Sequence, residues 1–165
     1  MIVSEQQGDL FDGVEKSDAD LIVIPHVCND IGAWGSGFVV PLGKKYPGAL
    51  KEYNKWNEII KHEHRLGTSD LYESINHEND RCVTIYNMVA QHGIMASQNR
   101  RPLNYGALAQ TMKSLSIYLR LNDDVASAEI HAPRFGSDRA GGDWTIIREM
   151  IEFLWPEWPT YIYYL

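Results

Sequence analysis

The stretch Leu21-Ile22-Val23-Ile24-Pro25-His26-Val27-Cys28-Asn29-Asp30-Ile31-Gly32-Ala33-Trp34-Gly35-Ser36-Gly37 carries the fold in miniature. Four consecutive apolar residues, three of them β-branched, suit a strand covered on both faces. Pro25 is expected to close that strand, and a polar, glycine-rich loop follows it. A short helix, Phe38 to Tyr46, comes next. The same succession recurs near the other end of the chain. Glu129-Ile130-His131-Ala132 reads as a strand closed by Pro133, Arg134 to Gly142 as a second glycine-rich loop, and 143–155 as a helix with Trp144, Ile147, Ile151 and Leu154 at helical spacing. Strand, glycine loop, helix is the repeating unit of an α/β sheet.

Residues 1–7 read as an opening strand ended by Gly8-Asp9. Pro47 to about His62 reads as a helix, with Leu50, Tyr53, Trp56, Ile59 and Ile60 on its apolar side. Strands are expected around Leu71–Asn76 and Val83–Ala90. Asn104 is placed to cap a helix running to about Leu121. Tyr161 to Tyr164 reads as a closing strand. The order β-α-β-α-α-β-β-α-β-α-β predicts a three-layer α/β/α sandwich around a mixed sheet of about six strands, with residues 1–165 as one domain.

Composition narrows the function. The 165 residues are 44% hydrophobic and 22% charged, too apolar for a disordered chain and too polar for a membrane bundle. With 15 Lys and Arg against 22 Asp and Glu, the net charge is -7, which argues against a broad face for DNA or RNA. An anionic small molecule is compatible with that balance, because backbone N–H groups hold phosphates without side-chain charge. Cys28 and Cys82 lie 54 positions apart and read as two reduced thiols. No secretory leader or membrane span is expected at the start, which points to a cytoplasmic protein.

Both glycine loops follow strands, where ligands collect in open α/β sheets. Two such loops on one sheet edge would grip a diphosphate from both sides. Neither fits G-x-x-x-x-G-K-[ST], and neither fits G-x-G-x-x-G with an acidic residue ~20 positions on, so the P-loop and the dinucleotide fingerprint are both excluded.

Taken together, these motifs resemble the macrodomain family. Gly8-Asp9-Leu10 is similar to its opening motif, Asn29 and Gly35-Ser36-Gly37 to its first ligand loop, and Gly136 to Gly142 to its diphosphate loop. His26-Val27-Cys28-Asn29, Gly32 to Gly37 and Lys45-Tyr46-Pro47 most resemble the ADP-ribose-1''-phosphatase branch, which is related to the terminal ADP-ribose glycohydrolase type. The resemblance implies ADP-ribose or a derivative as ligand. Asp9 would accept from the adenine amine, and the Leu10 backbone would read a ring nitrogen. Asn29 would contact the distal ribose, with Gly35, Ser36 and Gly37 lining its pocket beside Phe38 and Gln91. Gly136, Ser137, Asp138, Arg139, Ala140 and Gly141 would form the diphosphate loop, the last five offering backbone N–H groups. Where the family has Gly-Leu, this chain has Asp138-Arg139.

For catalysis the resemblance singles out His26 and Asn29, and the start of the last helix adds Asp143. His26 reads either as a proton carrier or as a core histidine, and Asp143 either as a base for water or as a helix cap. The lysine used by the glycohydrolase relatives is absent, so Gln91 or His92 is left to face the ligand. His62 and His64 form an H-x-H pair without a third ligand nearby, and His131 reads as structural; Arg100 and Arg101 read either as a solvated loop or as flanking an anionic substrate, and Tyr105 is placed to pack beside the distal ribose. The expected activity is metal-independent removal of phosphate from ADP-ribose 1''-phosphate, with no cofactor, by a monomer with no membrane or extended nucleic-acid partner. Two other readings stay open: removal of ADP-ribose from modified protein or nucleic acid, and binding without chemistry.

Overall fold

A computed structural model of the chain describes residues 1–60, 65–76, 78–122 and 127–165. Six strands, β1 (Ile2–Gln7), β2 (Leu21–Asn29), β3 (Ser69–Asn76), β4 (Arg81–Gln91), β5 (Ala128–Pro133) and β6 (Thr160–Tyr164), form one sheet in the order β1-β6-β5-β2-β4-β3. All neighbours pair in parallel except β3, which runs antiparallel on β4 at the edge. The helices are α1 (Leu10–Lys16), α2 (Val39–Lys45), α3 (Pro47–Ile60), α4 (Tyr105–Leu121) and α5 (Trp144–Leu154). The last turn expected of α3, with His62 and His64, lies outside the described residues.

Side chains of β2 alternate between two cores, as the period of a strand requires. Leu21 and Val23 pack with Leu108, Met112 and Leu115 of α4 and Ile147 and Ile151 of α5. Ile22 and Ile24 pack with Leu10 and Val14 of α1, Leu42 of α2 and Ala49 of α3. The sheet is therefore the middle layer of the sandwich that the sequence predicts. Among the described residues, no helix is long and apolar enough to cross a membrane.

One boundary differs from expectation. β2 does not stop at Pro25 but runs on to Asn29 beside β4. The reason lies on its other side. β5 pairs with β2 only over Leu21–Val23 and then turns to β6 alone. Beyond Val23, β2 has a neighbour on one side only, which is where a residue without an N–H is tolerated. The parting of β2 and β5 opens a crevice at their carboxyl ends. This is also where the strand order changes direction, since the chain leaves β2 toward β4 and leaves β5 toward β6.

Asn104 caps α4 as the sequence predicts, its side-chain oxygen accepting from the Ala107 N–H at 2.9 Å. Asn104→Ala is expected to cost ~1 kcal/mol of stability in a denaturant titration. No change in midpoint would show the bond to be replaced by solvent.

Candidate functional site

Because β1, β6, β5, β2 and β4 are mutually parallel, whatever follows each of them falls on one edge of the sheet. Asp9 follows β1, the loop 32–37 follows β2, His92 follows β4 and the loop 136–142 follows β5.

The two glycine loops meet. A Cβ on Gly37 would sit 3.8 Å from Cδ of Arg139 and 3.9 Å from its Nε, so the Arg139 side chain spans the crevice and lies on the first loop. The second loop is seated on the segment before α4, where the Leu103 N–H donates to the Ala140 carbonyl at 3.0 Å. Gly141 adopts a left-handed conformation (φ 73°), and its Cα faces the Arg100 backbone so closely that no Cβ fits. Asp138–Ala140 form a single 3-10 turn, and N–H groups that open such a turn lack partners within it. Gly141 departs from expectation: its N–H is already taken by the Ser137 carbonyl at 2.7 Å and the Asp138 carbonyl at 3.1 Å. It shapes the loop, and its N–H is not offered outward. Glu5 braces the base of this loop, accepting from Arg134 Nε at 2.8 Å, Trp144 Nε1 at 2.7 Å and Arg148 Nε at 2.9 Å.

Other expected site residues are engaged within the chain. Asp9 is exposed and caps α1, accepting from the Phe11 N–H at 2.8 Å, while the Leu10 side chain is in the core. Phe11 stacks on Phe38 with centroids 6.0 Å apart, which joins the start of α1 to the end of the first loop. Asn29 folds the first loop over itself: its Oδ1 accepts from the N–H groups of Ala33 (2.9 Å) and Ile31 (3.2 Å), and its Nδ2 donates to the Ala33 carbonyl (2.9 Å). Gly35 and Ser36 are exposed on that loop. Gln91 turns its amide to the Gly93 carbonyl. Asp143 is the N-cap of α5, accepting from the Thr145 N–H at 2.8 Å, and its own N–H is held by the Tyr105 hydroxyl. Arg101 lies over the Tyr105 ring, 4.9 Å from its centroid.

His26 is a core residue, 2% exposed. Its Nε2 is 2.6 Å from Asn87 Oδ1, and its ring meets Trp34 edge-on at 5.5 Å and Phe38 at 5.9 Å. Burial pushes its pKa down to about 4, with the Asn87 hydrogen bond pulling back, so the ring is neutral at physiological pH. The core-histidine alternative describes this geometry. Trp34 of the first loop and Phe38 just after it pack directly on this ring. Both cysteines are unpaired, and burial pushes the Cys28 thiol far up.

Sequence reasoning did not find the link between Asp30 and His92. The His92 Nδ1 is 2.6 Å from Asp30 Oδ2, and the Gly93 N–H donates to Asp30 Oδ1 at 2.7 Å. Burial works to raise the Asp30 carboxyl, but the Gly93 N–H and the His92 ring outweigh it and hold the group below the ordinary carboxylate range. The two residues are 62 apart in sequence. Only the register that sets Asn29 opposite Gln91 makes them neighbours.

Comparison with known proteins bears on this edge. No family model matches the chain. The chain is 27% identical over 146 residues to an ADP-ribose 1''-phosphate phosphatase of Lodderomyces elongisporus, covering 87% of both proteins. A protein of unknown function from Bacteroides thetaiotaomicron superposes with a TM-score of 0.81 at 31% identity, over 100% of this chain and 98% of that one. A macrodomain protein from Streptomyces coelicolor superposes with a TM-score of 0.74 at 26% identity, over 100% of this chain and 99% of the other. The chain is a macrodomain. In this macrodomain, the residue at the crossing between the loops is Arg139. Among the described residues, no three His, Cys, Asp or Glu side chains are grouped as a metal site requires.

Proposed function

We propose that this macrodomain binds ADP-ribose along the strand-end edge and hydrolyses ADP-ribose 1''-phosphate to ADP-ribose and inorganic phosphate. The observation that carries the reading is the meeting of the two glycine loops over the parting of β2 and β5, with Arg139 lying on Gly37. The relative from Lodderomyces elongisporus supports the choice of substrate. In this reading adenine lies by Asp9 and Leu10, the diphosphate lies under the loop 136–142, and the distal ribose lies beyond Asn29 and Gly35. Arg139 supplies a charge-assisted donor to the phosphates. His26 acts by propping Trp34 and Phe38 beneath the first loop. Asn29 holds that loop's shape, and Asp143 seats α5 behind the second. The scheme uses no metal or cofactor.

The test is a panel of ADP-ribose 1''-phosphate, acetylated ADP-ribose and ADP-ribosylated protein and DNA, with product analysis and calorimetric titration of ADP-ribose. Release of inorganic phosphate from the first substrate is expected. Turnover of a modified macromolecule alone would transfer the activity to ADP-ribosyl hydrolysis, and binding without any turnover would leave a reader.

Gly35 offers a sharper test of the pose. It has no heavy atom within 4 Å of where a Cβ would sit, and its backbone is not left-handed. Gly35→Ala therefore has no steric cost in the free protein. Its melting temperature is expected to stay within ~1 °C, while ADP-ribose binding weakens ~10-fold because the ligand meets the new methyl group, ~1–3 kcal/mol of overpacking. Unchanged affinity would move the distal ribose away from Gly35.

A further inference from the structure

We propose that His92, oriented by Asp30, is the proton carrier of the hydrolysis at the distal ribose; this rests on the function proposed above. The geometry begins with the tautomer. A carboxylate only accepts hydrogen bonds, so the contact at 2.6 Å puts the proton on His92 Nδ1 and leaves Nε2 with its lone pair. Asp30 is fixed for this purpose. Its side chain is only 15% exposed, and its second oxygen is held by the Gly93 N–H. The His92 side chain is 79% exposed, so the free nitrogen faces outward while the other is anchored. The backbone is pinned as well: the His92 N–H donates to the Pro102 carbonyl at 2.8 Å, and its carbonyl accepts from Asn99 Nδ2 at 2.9 Å. Arg65 donates to the Asp30 carbonyl, and the segment that returns to Pro102 carries Arg100 and Arg101, the latter over the Tyr105 ring. An imidazole with one nitrogen on a carboxylate and the other open is the arrangement of a general base.

Position along the sheet selects the reacting end. From Asp9 at the end of β1 to His92 at the end of β4 there are four strand spacings, ~19 Å at ~4.8 Å each, with the diphosphate loops between them. A ligand with adenine at Asp9 and its diphosphate at the crevice points its distal ribose toward β4. There a water oxygen attacks phosphorus and passes a proton to His92 Nε2. The bond from phosphorus to the C1'' oxygen breaks, and that oxygen takes a proton from the imidazolium. ADP-ribose and inorganic phosphate leave, and His92 is neutral again. His26 is not available for this transfer, being enclosed by Asn87, Trp34 and Phe38.

Two measurements test the dyad. In His92→Ala, kcat on ADP-ribose 1''-phosphate is expected to fall ~100-fold, ADP-ribose affinity to hold, and added imidazole to restore part of the rate. In Asp30→Asn the fall is expected to be at least ~10-fold. Unreduced turnover in His92→Ala would overturn the proposal. Independently of turnover, the His92 ring resonances of the wild-type protein are expected to move on titration with ADP-ribose and to stay in place with ADP, which lacks the distal ribose. Binding of ADP-ribose with an undisturbed His92 ring would overturn the dyad's role alone. No binding of ADP-ribose at all would overturn the functional reading, and the dyad with it.

Discussion

Gly141→Ala is expected to destabilise the protein by ~2–5 kcal/mol and to weaken ADP-ribose binding at least ~30-fold. Two costs add. The left-handed backbone at φ 73° costs an L-residue ~1–2 kcal/mol that glycine does not incur. The new Cβ would then lie 2.5 Å from the Arg100 carbonyl oxygen and 3.0 Å from the Arg101 Cα, and both are backbone atoms that cannot rotate away. Forcing an overpacked contact of this kind costs ~1–3 kcal/mol. Relief comes by lifting the loop 136–142 off the segment 100–103, which breaks the bond from the Leu103 N–H to the Ala140 carbonyl and tilts the 3-10 turn away from the crevice. If the loop alone gives way, affinity suffers and most of the melting temperature survives; if the whole interface fails, both fall. Thermal unfolding and calorimetric titration separate the two. Unchanged values in both would mean that the loop's seat on Arg100 has no part in binding. Gly35→Ala is the natural control for the stability measurement, since it changes a loop glycine without either cost.

The sequence-based reading and the structure agree where a signal is local. Val23 and Ile24 are legible as a buried strand because four apolar neighbours in a row have no other good use, and Asn104 and Asp143 are legible as caps because their side chains bond N–H groups two or three residues on. The disagreements have non-local causes. Pro25 looks like the end of a strand until it is seen that β5 has already left that flank. His26 looks like a proton carrier because it enters a ligand loop, but its environment is made by Asn87 and Trp34, one on a neighbouring strand and one folded back over it. Asp30 attracts no notice in sequence because its partner, His92, follows β4, 62 residues away. Arg139 stands out only as an exception to a family pattern; that it reaches Gly37 follows from the sheet bringing the ends of β2 and β5 to one edge.

Between pH 6.5 and about 4, stability is expected to fall by ~3 kcal/mol through His26 alone. In the unfolded chain this histidine takes up a proton below 6.5, whereas in the folded protein burial delays uptake until about 4. Over that window the unfolded state binds more protons, so stability rises with pH; the contribution is complete above 6.5 and is lost as the pH falls to about 4. The difference between 6.5 and about 4, at 1.36 kcal/mol per pH unit, gives the ~3 kcal/mol. His131 adds in the same direction, since burial lowers it and its bond to Glu129 only partly restores it. Carboxylates held low in the fold, such as Asp30 and Glu5, also favour the folded state at higher pH, but their losses begin only near the ordinary values of 3.8 and 4.5 and extend below them. Above about 4.5 the loss comes from the histidines, opposed by Asp70, whose carboxyl burial pushes up. His26→Gln keeps a donor for Asn87 and removes the titration, so its denaturant midpoint should decline less steeply than wild type between pH 6.5 and 4.5. Parallel curves for the two proteins would show that His26 protonates freely in the folded state. It would then be open to solvent, and the proton transfer assigned to His92 would have a competitor.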